Sequence, residues 1–284
     1  MVAPIAVRPL AAALLVGAAL GACDAGAAEP PGPKEPVPRD PAKLAAALRS
    51  NSESLQDAID RWRASGDLVR DRTPREVELR ALYHQRIHIL LSDRPRLASL
   101  TIRRLPRPLA AEARDLLAAR RALVRLTPAT RRRRFRTGRA LPPGRLLRYY
   151  RAAQRRFGVS RRVLAAVNLV ETGFNRLRSL STSGARGPMQ FLPATWRAYG
   201  LGGDVDDPHD AILGAANYLR ASGAPGSYRR ALYAYNPSNL YVTAVLRYAR
   251  AMRRSFRTYY VLHSWQVFVR TTRGLRRLTG PRPR

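Results

Sequence analysis

Residues 167–196 read VNLVETGFNRLRSLSTSGARGPMQFLPATW, and the position of one glutamate in this stretch organises the rest of the chain. Leu164, Val167 and Glu171 share one helical stripe by the i, i+3, i+7 rule, and the stripe is otherwise apolar. Acids are scarce around it: none lies between Asp115 and Glu171, none between Glu171 and Asp204, and none after Asp210. A carboxyl set on an apolar face loses water around its charged form and titrates high. It then stays protonated near neutral pH, as a general acid must. On spacing alone, a structural glutamate paired with one of the many arginines is the alternative.

Working outward, Ser160 is placed to cap this helix, with Gly158 as the C′ residue ending a helix over 146–156. Downstream, a helix starts at 192–196, a polar loop GLGGDVDDPHD (200–210) leads into AILGAANYLRA, and further helices cover YRRALYAYN and 239–252. Asp210 reads as the N-cap of the helix that begins near Ala211. Upstream, apolar spacing predicts helices over 42–65 and 109–126, and a third opening with Thr73 as N-cap and Pro74 at N1 and running to about 91. That third helix carries His84 and His88, read as surface or partly packed side chains because no further metal ligands lie nearby. Arg131 to Arg134 read as an exposed basic loop. The aromatic and β-branched tail from Phe256 reads as two short strands or a hairpin.

The composition bounds the partners. The 284 residues hold 52 Lys and Arg against 19 Asp and Glu, a net charge of +33, and only Lys34 and Lys43 are lysines. Such a field draws polyanions in a salt-dependent way, so nucleic acid, anionic lipid and anionic wall polymers all qualify on charge alone. The N-terminus narrows the choice. One arginine is followed by an apolar run from Leu10 to about Leu20, too short to span a bilayer and laid out like an export signal. It closes on Leu20-Gly21-Ala22-Cys23, which resembles a bacterial lipobox and makes Cys23 the expected lipid attachment site. Export and the lack of a nucleic-acid motif argue against nucleic acid. With a single cysteine there is no disulfide framework. The expected organisation is a signal peptide (1–22), a Pro-rich tether (23–41), a basic helical region (42–140), a catalytic domain (141–252) and a C-terminal hairpin with a basic tail (253–284).

Ordinary glycosidases use two carboxyls about 5 to 9.5 Å apart, and here only Asp204, Asp206, Asp207 and Asp210 follow Glu171. Either that loop supplies the second group or one carboxyl is enough. A calcium loop starting at Asp204 fails, because its fifth, sixth and twelfth positions are Pro208, His209 and Ala215, so no metal or other cofactor is expected.

The motifs ETGFN (171–175), STSGARGPMQF (181–191), PATW (193–196), AYN (234–236) and Tyr241-Val242 occur in the order of the soluble lytic transglycosylase domain. The resemblance covers about residues 144–252 and is nearest to forms found in actinobacterial cell-wall proteins. It implies a mainly α, lysozyme-like helical domain that cleaves peptidoglycan between MurNAc and GlcNAc and leaves a 1,6-anhydro end. Glu171 matches the catalytic position. Ser181, Met189, Gln190 and Phe191 match the segment lining the glycan cleft, and Tyr235 with Asn236 match a pair that orients acid and substrate. Gly184, Ala185 and Gly187 would let backbone approach sugar closely. Two departures stand out. Thr172-Gly173 replaces the family's usual serine after the glutamate, and Pro237 interrupts the usual AYNAG by fixing φ and removing a donor. A lysozyme-like hydrolase and a silent wall-binding lipoprotein remain the alternatives.

Overall fold

The computed structural model describes residues 29–131, 134–181 and 183–281. The signal-peptide and Cys23 readings, and part of the tether and of the arginine run, lie outside the described residues.

Among the described residues, eleven helices and one hairpin make a mainly α molecule: α1 (Pro41–Ser65), α2 (Arg75–Asp93), α3 (Pro95–Ile102), α4 (Arg107–Leu126), α5 (Pro143–Phe157), α6 (Arg161–Thr172), α7 (Pro193–Tyr199), α8 (Pro208–Ala221), α9 (Tyr228–Tyr235), α10 (Asn239–Arg254), α11 (Arg257–Ser264), β1 (Phe268–Thr271) and β2 (Gly274–Arg277). Local chemistry starts and stops many of them. Proline occupies the first turn of α1, α3, α4, α5, α7 and α8, where its missing N–H costs nothing. Asp40, Ser160, Asp207, Ser227 and Ser238 accept from first-turn amides.

Helix α10 lies at the centre, packed along α4 on one side and against α6 on the other. The main core joins Leu55, Ile59 and Trp62 of α1, Val77 of α2 and Leu116 of α4 to Leu164, Val167, Ile212, Leu232 and Val245 farther along the chain. Thus α1, α2 and α4 share one apolar interior with α5–α10. A second cluster, around Leu44, Leu48, Ile87 and Leu91, closes the far end. Asp115 is buried on α4, where Arg247, Arg250 and Arg254 of α10 reach it at 2.9, 3.4 and 3.1 Å. A buried carboxylate is tolerable only when compensated in this way.

Several sequence readings need correcting. Thr73 does not cap α2: Pro74 takes an extended conformation (φ −57°, ψ 147°), so the helix begins one residue later. His84 and His88 are buried, 3% and 1% exposed, with ring centroids 4.2 Å apart and planes tilted by 39°, and are flanked by Trp265. Burial pushes both imidazoles below their ordinary range, His88 to about 4. A further helix, α3, opens on Pro95 in a stretch whose apolar spacing predicts none. Residues 257–264 are helical, because Thr258 through Ser264 are all buried and a helix satisfies its backbone internally; tertiary packing here overrides strand propensity. The hairpin does form, from β1 and β2, with Thr271 opposite Gly274.

Candidate active site

Helix α6 delivers Glu171 from its last turn. Ser160 caps its start, and Gly173 ends it in the left-handed region at φ 60°. Phe174 and Asn175 also take positive φ, 58° and 68°, a conformation that persists in such residues only when surrounding bonds over-determine it. Those bonds are present. The Thr172 hydroxyl accepts from the Asn175 amide at 3.0 Å, and Asn168 Nδ2 donates to Asn175 Oδ1 at 2.8 Å. Asn168 is held in turn by the Tyr150 hydroxyl at 2.6 Å.

The same residues tie α6 to the glycine-rich loop. Thr172 Oγ1 donates to the Pro188 carbonyl at 2.8 Å, and Asn168 Nδ2 reaches it at 2.9 Å. One residue on, the Met189 carbonyl accepts from the Tyr235 hydroxyl at 2.7 Å. Tyr235 lies nearly parallel to Tyr241, with ring centroids 6.3 Å apart and planes 5° apart. The Tyr241 hydroxyl donates to Glu171 Oε1 at 2.7 Å. Acid, two tyrosines, loop and helix end therefore form one closed circuit.

The Glu171 carboxyl is partly open to solvent but ringed by protein, and burial pushes its titration up to about 7; the Tyr241 bond, which favours the charged form, offsets only part of that. Its place at a helix C-terminus acts in the same upward direction, since the end carbonyls are negative. Burial first, and the Glu171 charge second, hold the Tyr235 and Tyr241 phenols well above the usual tyrosine range, so both remain neutral donors. A carboxyl poised near 7 can give a proton and, once ionised, take one back.

The Asp-rich loop is engaged elsewhere. Asp207, and not Asp210, caps α8. Asp204 accepts from the Asp206 amide, Asp206 pairs with Arg186, and Asp210 accepts from the Asp204 amide and from His209. No carboxylate contributes to the shift of Glu171. Asp207, His209 and Asp210 come close enough together to hold a cation, yet each already serves this turn.

The loop residues divide into two kinds. Met189 and Phe191 match cleft-lining positions, but their side chains are buried, at 0% and 3% exposure. Met189 takes part through its carbonyl, and Phe191 packs edge-on against Trp196 and Tyr235. Ser181 and Gln190 are half-buried. The Ser181 hydroxyl accepts from the Ala185 amide, while Gln190, at φ 51°, donates from Nε2 to the Gly187 carbonyl. Asn236 caps the end of α9. Gly187 lies against the Asp-rich loop: a Cβ there would sit 1.9 Å from the Val205 carbonyl oxygen. Gly184 has nothing near its missing Cβ. In the first of the two departures noted above, Thr172 builds the helix-to-loop bonds and Gly173 is the left-handed cap. Sequence reasoning gave no role to Asn168 or Asn175; the signal for Asn168 was an asparagine three residues before the acid on an apolar helix. Two clefts of about 750 and 840 Å³ open elsewhere, and Glu171 lines neither.

A single near-neutral acid at the end of α6, buttressed by a small-residue loop and paired tyrosines in a mainly helical body, is an arrangement suited to acid–base chemistry. Residues 148–255 match the family described as the Transglycosylase SLT domain. The match covers well under half of the chain and is to the lysozyme-like lytic transglycosylases, whose general activity is cleavage of peptidoglycan. No solved structure matches the chain.

Proposed function

We propose that the protein is a peptidoglycan lytic transglycosylase in which Glu171 serves as acid and then as base. The neutral carboxyl protonates the oxygen leaving C1 of MurNAc as the MurNAc–GlcNAc β-1,4 bond breaks, which leaves oxocarbenium character at C1. The ionised carboxylate then takes the proton of the C6 hydroxyl as that oxygen closes on C1. Atoms balance without water, the product end is a 1,6-anhydro sugar, and Glu171 finishes protonated again. The observation that carries this reading is that no other carboxylate acts on Glu171, while those of the Asp-rich loop are engaged within their own turn and with Arg186. A hydrolase would need one of them free to activate water. Tyr241 is proposed to hold the carboxyl in place, and the loop 184–191 with Tyr235 and Asn236 to seat the glycan. Mass spectrometry of fragments released from purified sacculi tests it: anhydro-ended muropeptides are expected, abolished in Glu171→Gln, whereas reducing ends alone refute the ring-closing step and unchanged release by the variant refutes catalysis by Glu171.

We further propose that the chain is exported and anchored through a diacylglyceryl Cys23, with the Pro-rich segment as spacer and the +33 charge holding it to anionic wall polymers. Cys23→Ala protein should leave the membrane fraction; retention there would count against lipidation.

A further inference from the structure

A cleft of about 840 Å³ opens between the turn after α1, the segment 138–145 and residues 279–281. Six arginines line it against two acids, Asp71 and Glu78. Arg72, Arg139 and Arg145 take part in no ion pair among the described residues. At its inner wall lies Arg176, 7% exposed, with one Nη1 bond to the Gly173 carbonyl at 3.1 Å and attraction from Glu78. Burial draws this guanidinium down to about 10, which marks a cation short of compensation.

His263 lines the same cleft and is 2% exposed. Its Nε2–H donates to the Leu141 carbonyl at 2.9 Å, which leaves Nδ1 as a buried acceptor with no partner. Burial, and then the charge of Arg176, push the imidazole down to about 3, so the ring stays neutral and Nδ1 keeps its lone pair. The cleft therefore asks for two things in one ligand: strong negative charge for the guanidinium forks, and an O–H or N–H donor for Nδ1.

We infer that this cleft binds a phosphate-bearing sugar or polyol, with the phosphate on the Arg139, Arg145 and Arg176 side and a hydroxyl donating to His263 Nδ1. A phosphate brings close to two charges and three acceptor oxygens where a carboxylate brings one charge and two, and six arginines against two acids leave room for the larger charge. The ligand is a soluble or polymer-borne unit and not a lipid headgroup, because none of the large exposed apolar side chains lines the cleft to receive an acyl chain.

The test is calorimetric titration of the full chain in 0.15 M salt with glucose 6-phosphate, inorganic phosphate and glucuronate. Glucose 6-phosphate should bind at least tenfold tighter than either of the others. Arg139→Gln with Arg145→Gln should weaken it at least tenfold. Arg49→Gln with Arg229→Gln, which removes the same charge from exposed positions outside the cleft, should change it less than twofold. Equal weakening in both double variants would reduce the effect to the overall field and overturn the site. Inorganic phosphate or glucuronate binding as tightly as the sugar phosphate, or no binding by the sugar phosphate, would overturn the ligand class. Capture by phosphatidylglycerol vesicles that depends on Arg139 and Arg145 would overturn the soluble source.

Discussion

Glutamine at position 171 will stabilise the protein in alkaline solution and leave it unchanged in acid. The Glu171 carboxyl titrates at about 7 in the folded chain against an ordinary 4.5, mainly because burial disfavours its charged form. Between those two values the folded chain still holds a proton that the unfolded chain has released. Stability therefore falls as pH rises through this window, by about 1.4 kcal/mol per unit, and the whole loss of about 3 kcal/mol is in place above the folded value. Below pH 4.5 both states are protonated and the burden vanishes. Glutamine has the same shape, keeps an oxygen for the Tyr241 hydroxyl and cannot ionise, so it escapes the burden. Urea unfolding of wild type and Glu171→Gln across pH 4 to 9 reads the difference directly, and the other titrating groups cancel. That difference should be near zero at pH 4, climb, and level off near 3 kcal/mol above pH 8, or roughly 5–10 °C in Tm for a chain of this size. A difference that stays flat with pH would refute burial as the source of the shift. One that grows toward acid would refute its sign.

Tyr241→Phe removes the hydrogen bond that holds the Glu171 titration down, so the alkaline limb of the pH–rate profile on sacculi should move to higher pH, with a several-fold loss of rate at neutral pH; a limb that does not move would argue that Tyr241 acts on packing alone. Gly187→Ala forces a Cβ to 1.9 Å from the Val205 carbonyl oxygen at φ +74° and should lower stability by more than about 2 kcal/mol, while Gly184→Ala, at φ +80° in open space, should cost about 1 kcal/mol, a contrast that paired thermal melts will show.

Much of this was legible in the residues. Gly158 and Ser160 announce the end of one helix and the start of the next because capping is local chemistry, and the apolar stripe through Leu164 and Val167 foretells that Glu171 is enclosed. What bound the acid to its surroundings was not legible. Thr172 and Asn168 act on Pro188, and Tyr235 acts on Met189 from 46 positions away; contacts at such separations leave no periodic trace. Motif matching treats residues 189 and 191 as cleft lining, whereas the loop turns their side chains inward. Residues 257–264 look like strand for the same reason that His84 looks exposed: propensity and polarity describe a residue, and burial depends on what arrives from elsewhere in the chain.

The carboxylate of Asp115 has a consequence for where this molecule can be divided. The family match begins at residue 148, but Arg247, Arg250 and Arg254 inside it converge on an acid 33 residues upstream of that boundary. Excising the matched segment would strand three like charges side by side on α10 and bare the apolar seam that Leu116 and Ala119 cover. The segment that matches the family is therefore smaller than the body that shares one core, and helices α1, α2 and α4 act as an inner scaffold supplied by the same polypeptide.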